Sequence, residues 1–125
     1  MKFKKFTLAL LAILLFTNVL VSSKELQPPM FMGRVLEVNT ASDGKTLMVR
    51  VKGYLTTCMV YEEELIAIVG DQTEFLKGCE TNTSNQKTTI EKGDYVYIVL
   101  SNAFTNSIPP QSSAQKILVS KPPKQ

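Results

Sequence analysis

The stretch Thr46-Leu-Met-Val-Arg-Val-Lys-Gly-Tyr54 alternates between apolar and polar side chains. Successive side chains of a β-strand point to opposite faces, so the stretch divides into two sets. One face carries Leu47, Val49 and Val51. The other carries Met48, Arg50, Lys52 and Tyr54. This pattern predicts a strand with one face in a core and the other toward solvent.

Four further segments have the composition of short strands, and polar turns separate them. They are residues 31–38, 65–69, 95–100 and 117–119. We expect a bulge at Gly33 and a tight turn at Asp43-Gly44, where a positive φ suits glycine. No long segment of helical period follows residue 23. The sequence therefore predicts an all-β fold, a small five-stranded barrel, because closure removes unpaired sheet edges.

Several motifs in this pattern resemble the OB-fold, the oligonucleotide- and oligosaccharide-binding barrel. A Gly33-Arg-Val35 motif opens the first strand, Thr73 follows the third, and Lys92-Gly93-Asp94 precedes the fourth. In these motifs the chain is similar to small exported bacterial OB domains of unknown function, over residues 31–120. The resemblance implies a barrel that works by presenting a surface. One departure is the polar loop between the third and fourth strands, where many OB-folds carry a helix.

The N-terminus has the pattern of a secretory signal peptide. Lys2, Lys4 and Lys5 precede a mainly apolar stretch that extends to Val21, and small residues follow it. We expect a signal peptide at 1–23, a linker at 24–30, the barrel at 31–120 and a polar tail at 121–125. The predicted location is periplasmic or secreted, and the alternative is an uncleaved N-terminal membrane anchor.

The charge and composition exclude several classes of function. The chain has 14 Lys and Arg against 11 Asp and Glu. Three of the lysines lie in the predicted signal peptide, so the remainder is neutral and lacks the positive field of a typical nucleic-acid binder. The chain contains no histidine, which excludes Ser-His-Asp catalysis and zinc sites with histidine ligands.

Cys58 and Cys79 are the only two cysteines. In an exported chain such a pair is expected to form a disulfide, which would close a loop of about 20 residues and contribute about 3 kcal/mol. The alternative is a pair of thiols without a bridge.

The acidic residues do not form a recognisable catalytic or metal-binding motif. Glu62-Glu63-Glu64 is interpreted as a solvated turn before the third strand, and Asp71, Glu74 and Asp94 are interpreted as isolated solvated carboxylates. None of them has the spacing of a calcium loop. We therefore expect no enzyme activity, no metal and no cofactor.

Arg50, Lys52 and Tyr54 are the best candidates for a binding surface, because an OB barrel commonly binds across its second and third strands. The alternative is an ordinary solvated strand face. Tyr95 and Tyr97 either extend this face or cover the barrel surface. Phe104 and the nearby Ile108-Pro109-Pro110 either dock on a partner or fold back over the barrel mouth.

The sequence favours a non-catalytic exported module that binds or assembles with another envelope or extracellular protein. The alternative is an exported protein that binds oligosaccharides or single-stranded nucleic acid. A membrane contact is expected only through an uncleaved signal peptide.

Overall fold

Six β-strands make up the computed structural model, which describes residues 26–77 and 89–124 and contains no helix within those ranges. The strands are β1 (Met30–Thr40), β2 (Leu47–Thr56), β3 (Val60–Val69), β4 (Glu74–Phe75), β5 (Tyr95–Leu100) and β6 (Gln111–Ser120). The predicted signal peptide at 1–23 lies outside the described residues. Within the described residues, no helix has the length and apolar character needed to cross a membrane.

The strands close into a barrel, and β1 lies at the middle of the strand order. This strand pairs antiparallel with β2 on one side and with β5 on the other. β2 continues to β3, β5 continues to β6, and a parallel pairing of β3 with β6 completes the ring. The predicted five-stranded OB-like barrel is therefore confirmed, and the two-residue β4 adds a sixth strand beside β6.

The alternation of side chains places an apolar core inside this ring. Val49 and Val51 of β2 are fully buried, as the alternating stretch predicts, and Lys52 and Tyr54 lie on the exposed outer face. The largest core side chains come from four other strands, and they are Phe31, Leu65, Ile98, Leu100 and Ile117. Each contributes about 1.5–3 kcal/mol through burial, so the barrel interior is the main source of stability.

The bulge in β1 lies at Leu36 rather than at the predicted Gly33. The register with β2 shifts between Val35 and Glu37, whereas Gly33 stays in register opposite Gly53. Glycine is required there for another reason, because a methyl group on Gly33 would overlap main-chain atoms of Lys52.

The predicted turn at Asp43-Gly44 is confirmed. Gly44 has a φ of 73°. Asp43 Oδ1 accepts hydrogen bonds from the main-chain N–H groups of Lys45 and Thr46, each at 2.9 Å. Its Oδ2 accepts a third, from the Thr46 hydroxyl, at 2.6 Å. The side chain therefore fixes the connection between β1 and β2.

The interpretation of Asp94 as a solvated carboxylate is wrong. This side chain is buried, and its Oδ2 accepts hydrogen bonds from the Glu91 main-chain N–H at 2.8 Å and from Lys121 Nζ at 2.6 Å. Lys121 comes from the segment predicted to be a tail. Because it lies 27 residues from Asp94 in the chain, the local pattern did not reveal the pair.

Two strands begin well before the residue that the sequence pattern predicts. β3 begins at Val60, so Glu62, Glu63 and Glu64 lie within it and the predicted solvated turn is wrong. β6 begins at Gln111 instead of near residue 117. In both cases cross-strand hydrogen bonding extends the strand through residues of low β-propensity.

Candidate functional site

The outer face of β2 carries the predicted binding residues Arg50, Lys52 and Tyr54, and β3 lies directly beside it. Tyr54 is paired with Glu62 and Lys52 with Glu64. The structure therefore brings the three predicted residues onto one face, as expected. It also places Glu62 and Glu64 beside them, which the sequence interpretation had assigned to a turn. Their role in binding stays a prediction.

The carboxylates of β3 offset the basic character of this face. Arg50 Nε forms an ion pair with Glu64 Oε1, and both side chains are partly exposed. Two basic side chains, Arg50 and Lys52, thus share the outer face with Glu62 and Glu64, whereas Glu63 points to the opposite face. Such a face does not provide the positive potential on which phosphate-backbone binding depends.

A shallow open groove of about 740 Å³ runs beside this face. One wall is the β3 segment from Tyr61 to Glu64 together with Arg50, and the other is the loop segment from Asn106 to Pro110. We call this feature the edge groove. Sequence reasoning identified Arg50 and the Ile108-Pro109-Pro110 segment of the loop, and it missed the three glutamates because it placed 62–64 in a turn.

The loop that forms the second wall is held by its own hydrogen bonds. Thr105 N–H donates to Gln111 O at 3.0 Å, and Gln111 N–H donates to Thr105 Oγ1 at 2.9 Å. Ser107 Oγ lies 2.6 Å from Thr105 Oγ1 and donates to Pro109 O at 3.0 Å. The Ile108–Pro109 peptide bond is cis. The hydrogen bonds of Thr105 and Ser107 lie within the loop, and Ile66 N–H, which donates to Pro110 O at 2.9 Å, joins the end of the loop to β3.

The loop presents apolar side chains to solvent. Ile108 is 99% exposed, and Phe104 on the same loop is 37% exposed. Ile108 therefore does not fold back over the barrel mouth, which was one of the two predicted arrangements. The other arrangement, docking on a partner, stays a prediction for both residues.

The two tyrosines of β5 lie outside the edge groove. Tyr95 is exposed and Arg34 stacks over its ring, with the guanidinium carbon 5.8 Å from the ring centre. Tyr97 pairs with Met32, and its hydroxyl contacts the sulfur of Met30. Because Tyr97 and Tyr54 both lie opposite Met32, on either side of β1, the two tyrosines of β5 share the outer face that carries Tyr54. A role in binding stays a prediction.

Cys58 is exposed in the turn between β2 and β3. Cys79 lies outside the described residues, so the Cys58–Cys79 disulfide stays a prediction. Within the described residues, no group of three or more Cys, Asp or Glu side chains is arranged to hold a metal ion.

No family model and no curated protein matches the chain. The topology of the barrel and the geometry of the edge groove are therefore the basis for assigning a function.

Proposed function

We propose that this protein is an exported, non-catalytic OB-like domain that binds another envelope or extracellular protein through the edge groove. The observation that carries the proposal is Ile108, fully exposed on a loop whose end is joined to β3 by the hydrogen bond from Ile66 N–H to Pro110 O. Isolated exposed apolar residues are common on protein surfaces, but here Tyr61 and two prolines line the same groove. A partner that covered them would bury apolar area at the centre of the contact.

The charge distribution of the groove supports a protein partner over a polyanion. Arg50 is already paired with Glu64, and Glu62 and Glu63 add negative charge. A phosphate backbone or an acidic polysaccharide would be repelled by these carboxylates. Binding of oligosaccharides or single-stranded nucleic acid, the alternative from the sequence, would depend mainly on Lys52 and Tyr54.

Site-specific photocrosslinking in the source cells tests the proposal. A photoreactive residue in place of Ile108 is compared with one in place of Phe75, an exposed side chain in β4 well away from the groove. We expect position 108 to crosslink to one discrete protein at both low and high salt, and position 75 not to. Equal crosslinking at both positions would contradict the proposal. If nuclease or glycosidase treatment removed the crosslinked species, the result would favour binding of nucleic acid or oligosaccharide instead.

A further inference from the structure

The first half of β3 is a strand edge. Residues from Val60 to Leu65 pair with β2 on one side, but β6 joins the other side only from Ile66 onward. Within residues 26–77 and 89–124, no main-chain group pairs with this second side of the segment. The edge forms one wall of the edge groove, so it is open toward the loop that carries Ile108.

The direction of the main-chain groups follows from the hydrogen bond at the end of this edge. Ile66 N–H donates to Pro110 O at 2.9 Å, so the N–H and C=O groups of Ile66 face the groove side. These groups alternate in direction along a strand, so those of Glu64 and Glu62 also face the groove, whereas those of Glu63 face β2. The groove therefore presents a row of hydrogen-bonding groups at the spacing of a β-strand.

The side chains along the edge carry negative charge. Glu62 and Glu64 point to the outer face with Tyr54 and Lys52, and Glu63 and Tyr61 point to the opposite face. Glu64 is paired with Arg50, and neither Glu62 nor Glu63 forms an ion pair with another described residue. A strand added here would place its own side chains beside these carboxylates.

We propose that the edge of β3 from Val60 to Glu64 accepts an extended, Lys- or Arg-bearing segment of a partner protein as an added β-strand. The inference rests on the proposed function, because it specifies how the protein partner is held. Main-chain hydrogen bonds to Glu62 and Glu64 supply the affinity, and the carboxylates select basic side chains. Tyr61 and Ile108 contact the apolar residues that alternate with the basic ones.

The test uses a peptide of alternating Lys and Val with the purified chain. We expect the peptide to bind, and a peptide of alternating Glu and Val not to bind. Amide hydrogen exchange, followed by NMR, is expected to slow at Glu62 and Glu64 when the peptide binds. Exchange at Glu63 is expected to stay unchanged, because its N–H already faces β2.

Two peptides methylated on alternate main-chain nitrogens test the strand geometry directly. Only one set of amides faces β3 in an added strand, so methylation of that set abolishes binding and methylation of the other set leaves it intact. Equal effects of the two sets would overturn the proposal. Slow exchange at Glu62 and Glu64 before any peptide is added would also overturn it, because another segment of the chain would then cover the edge.

The charge requirement is tested with Glu62→Gln, and Asp71→Asn serves as the matched control. Asp71 is an exposed carboxylate in the turn after β3. We expect Glu62→Gln to weaken peptide binding by about two- to five-fold, as for the loss of one exposed ion pair, and Asp71→Asn to leave it unchanged. If both substitutions weakened peptide binding equally, the peptide would be attracted by the overall negative charge of the protein. Recognition at the β3 edge would then be contradicted.

Failure of this inference is distinguishable from failure of the proposed function. If position 108 crosslinks a protein but the Lys-Val peptide fails to bind and protect Glu62, the module binds its partner in another way. If the peptide binds as an added strand but no protein crosslinks at position 108, the edge assignment stands and the proposed function fails.

Discussion

Gly33 of β1 and Gly53 of β2 lie directly opposite each other, and neither position has space for a side chain. A methyl group on Gly33 would overlap the main-chain oxygen of Lys52, and one on Gly53 would overlap the main-chain oxygen of Met32. Backbone conformation is not the reason for glycine at either position, because among the described glycines only Gly44 and Gly93 have a positive φ. The close approach of the two backbones within the barrel wall is what excludes larger residues.

Replacing Gly33 with alanine is expected to destabilise the barrel by about 2–3 kcal/mol, the cost of overpacking against atoms that cannot rotate away. Gly70→Ala is the matched control, since a methyl group there would make only an ordinary contact with Thr46 Oγ1 at 3.9 Å. We expect the control to change the free energy of unfolding by less than about 0.5 kcal/mol. Urea denaturation of the two variants checks this, and equal destabilisation would contradict it.

The sequence predicted the barrel because its inner residues follow a local rule. Val49 and Val51 alternate with polar residues, and that period alone distinguishes a half-buried strand from a helix. The start of β3 was not predictable in this way. Glu62, Glu63 and Glu64 have low intrinsic preference for strands, and only pairing with β2 holds them in one.

For the candidate site, too, only the features within a single strand could be predicted from the sequence. Arg50, Lys52 and Tyr54 were identified because they share one face of one strand. The edge groove also requires the loop at 106–110 to lie beside β3, and that contact joins segments about forty residues apart in the chain. Nothing in the local composition of either segment indicates the other.

Lys121 is expected to stabilise the fold through Asp94, although the sequence places it in a polar tail. Replacing Lys121 with methionine leaves a buried carboxylate with one hydrogen bond fewer. We expect a loss of about 1–2 kcal/mol, below the value for a fully buried pair because Lys121 is partly exposed. Lys116→Met, which removes only an exposed ion pair with Glu74, is expected to cost less than about 0.5 kcal/mol in urea denaturation.

The contribution of Lys121 is also expected to depend on pH. The hydrogen bond to Asp94 and the negative charges of Asp94 and Glu91 raise the pKa of Lys121 above its usual value, against a smaller opposing effect of burial. The stabilisation is therefore fully present below about pH 10 and is lost as the pH rises through the folded-state pKa. We expect the difference in Tm between the wild type and Lys121→Met to shrink in that alkaline range. A constant difference would contradict this linkage.

The contribution of Asp43 to stability is expected to change at acidic pH. Hydrogen bonds from the Thr46 hydroxyl and from the main-chain N–H groups of Thr46 and Lys45 lower the pKa of Asp43. Its contribution to stability is therefore present above about pH 4 and is lost as the pH falls through the folded-state pKa.

An NMR titration of the Asp43 carboxyl carbon checks the cause of this shift. Thr46→Val removes the hydroxyl donor, so we expect the pKa of Asp43 to rise toward its usual value. Thr40→Val, an exposed threonine at the end of β1, serves as the control and should leave the pKa unchanged. A pKa that stays low in Thr46→Val would assign the shift to the main-chain donors alone.

Ile108 and Ile117 provide a comparison of the same residue type in opposite environments. Ile108 is 99% exposed and Ile117 is 0% exposed. Replacing Ile117 with alanine is expected to cost about 2–5 kcal/mol, because it removes buried methyl groups and leaves a cavity. Ile108→Ala is expected to change stability by less than about 0.5 kcal/mol in urea denaturation. It should nevertheless reduce the yield of partner crosslinked from a photoreactive residue at Asn106, on the same groove wall.

Together, the stability and crosslinking measurements show whether Ile108 contacts a partner or packs against the barrel. If Ile108 serves the partner, its removal affects crosslinking and leaves the barrel stable, because the loop is held by hydrogen bonds of Thr105 and Ser107 that the substitution does not touch. If Ile108→Ala instead lowered the free energy of unfolding as Ile117→Ala does, Ile108 would pack against the barrel in solution. The docking role would then be wrong, since a side chain that stabilises its own fold is not free to be buried by a partner.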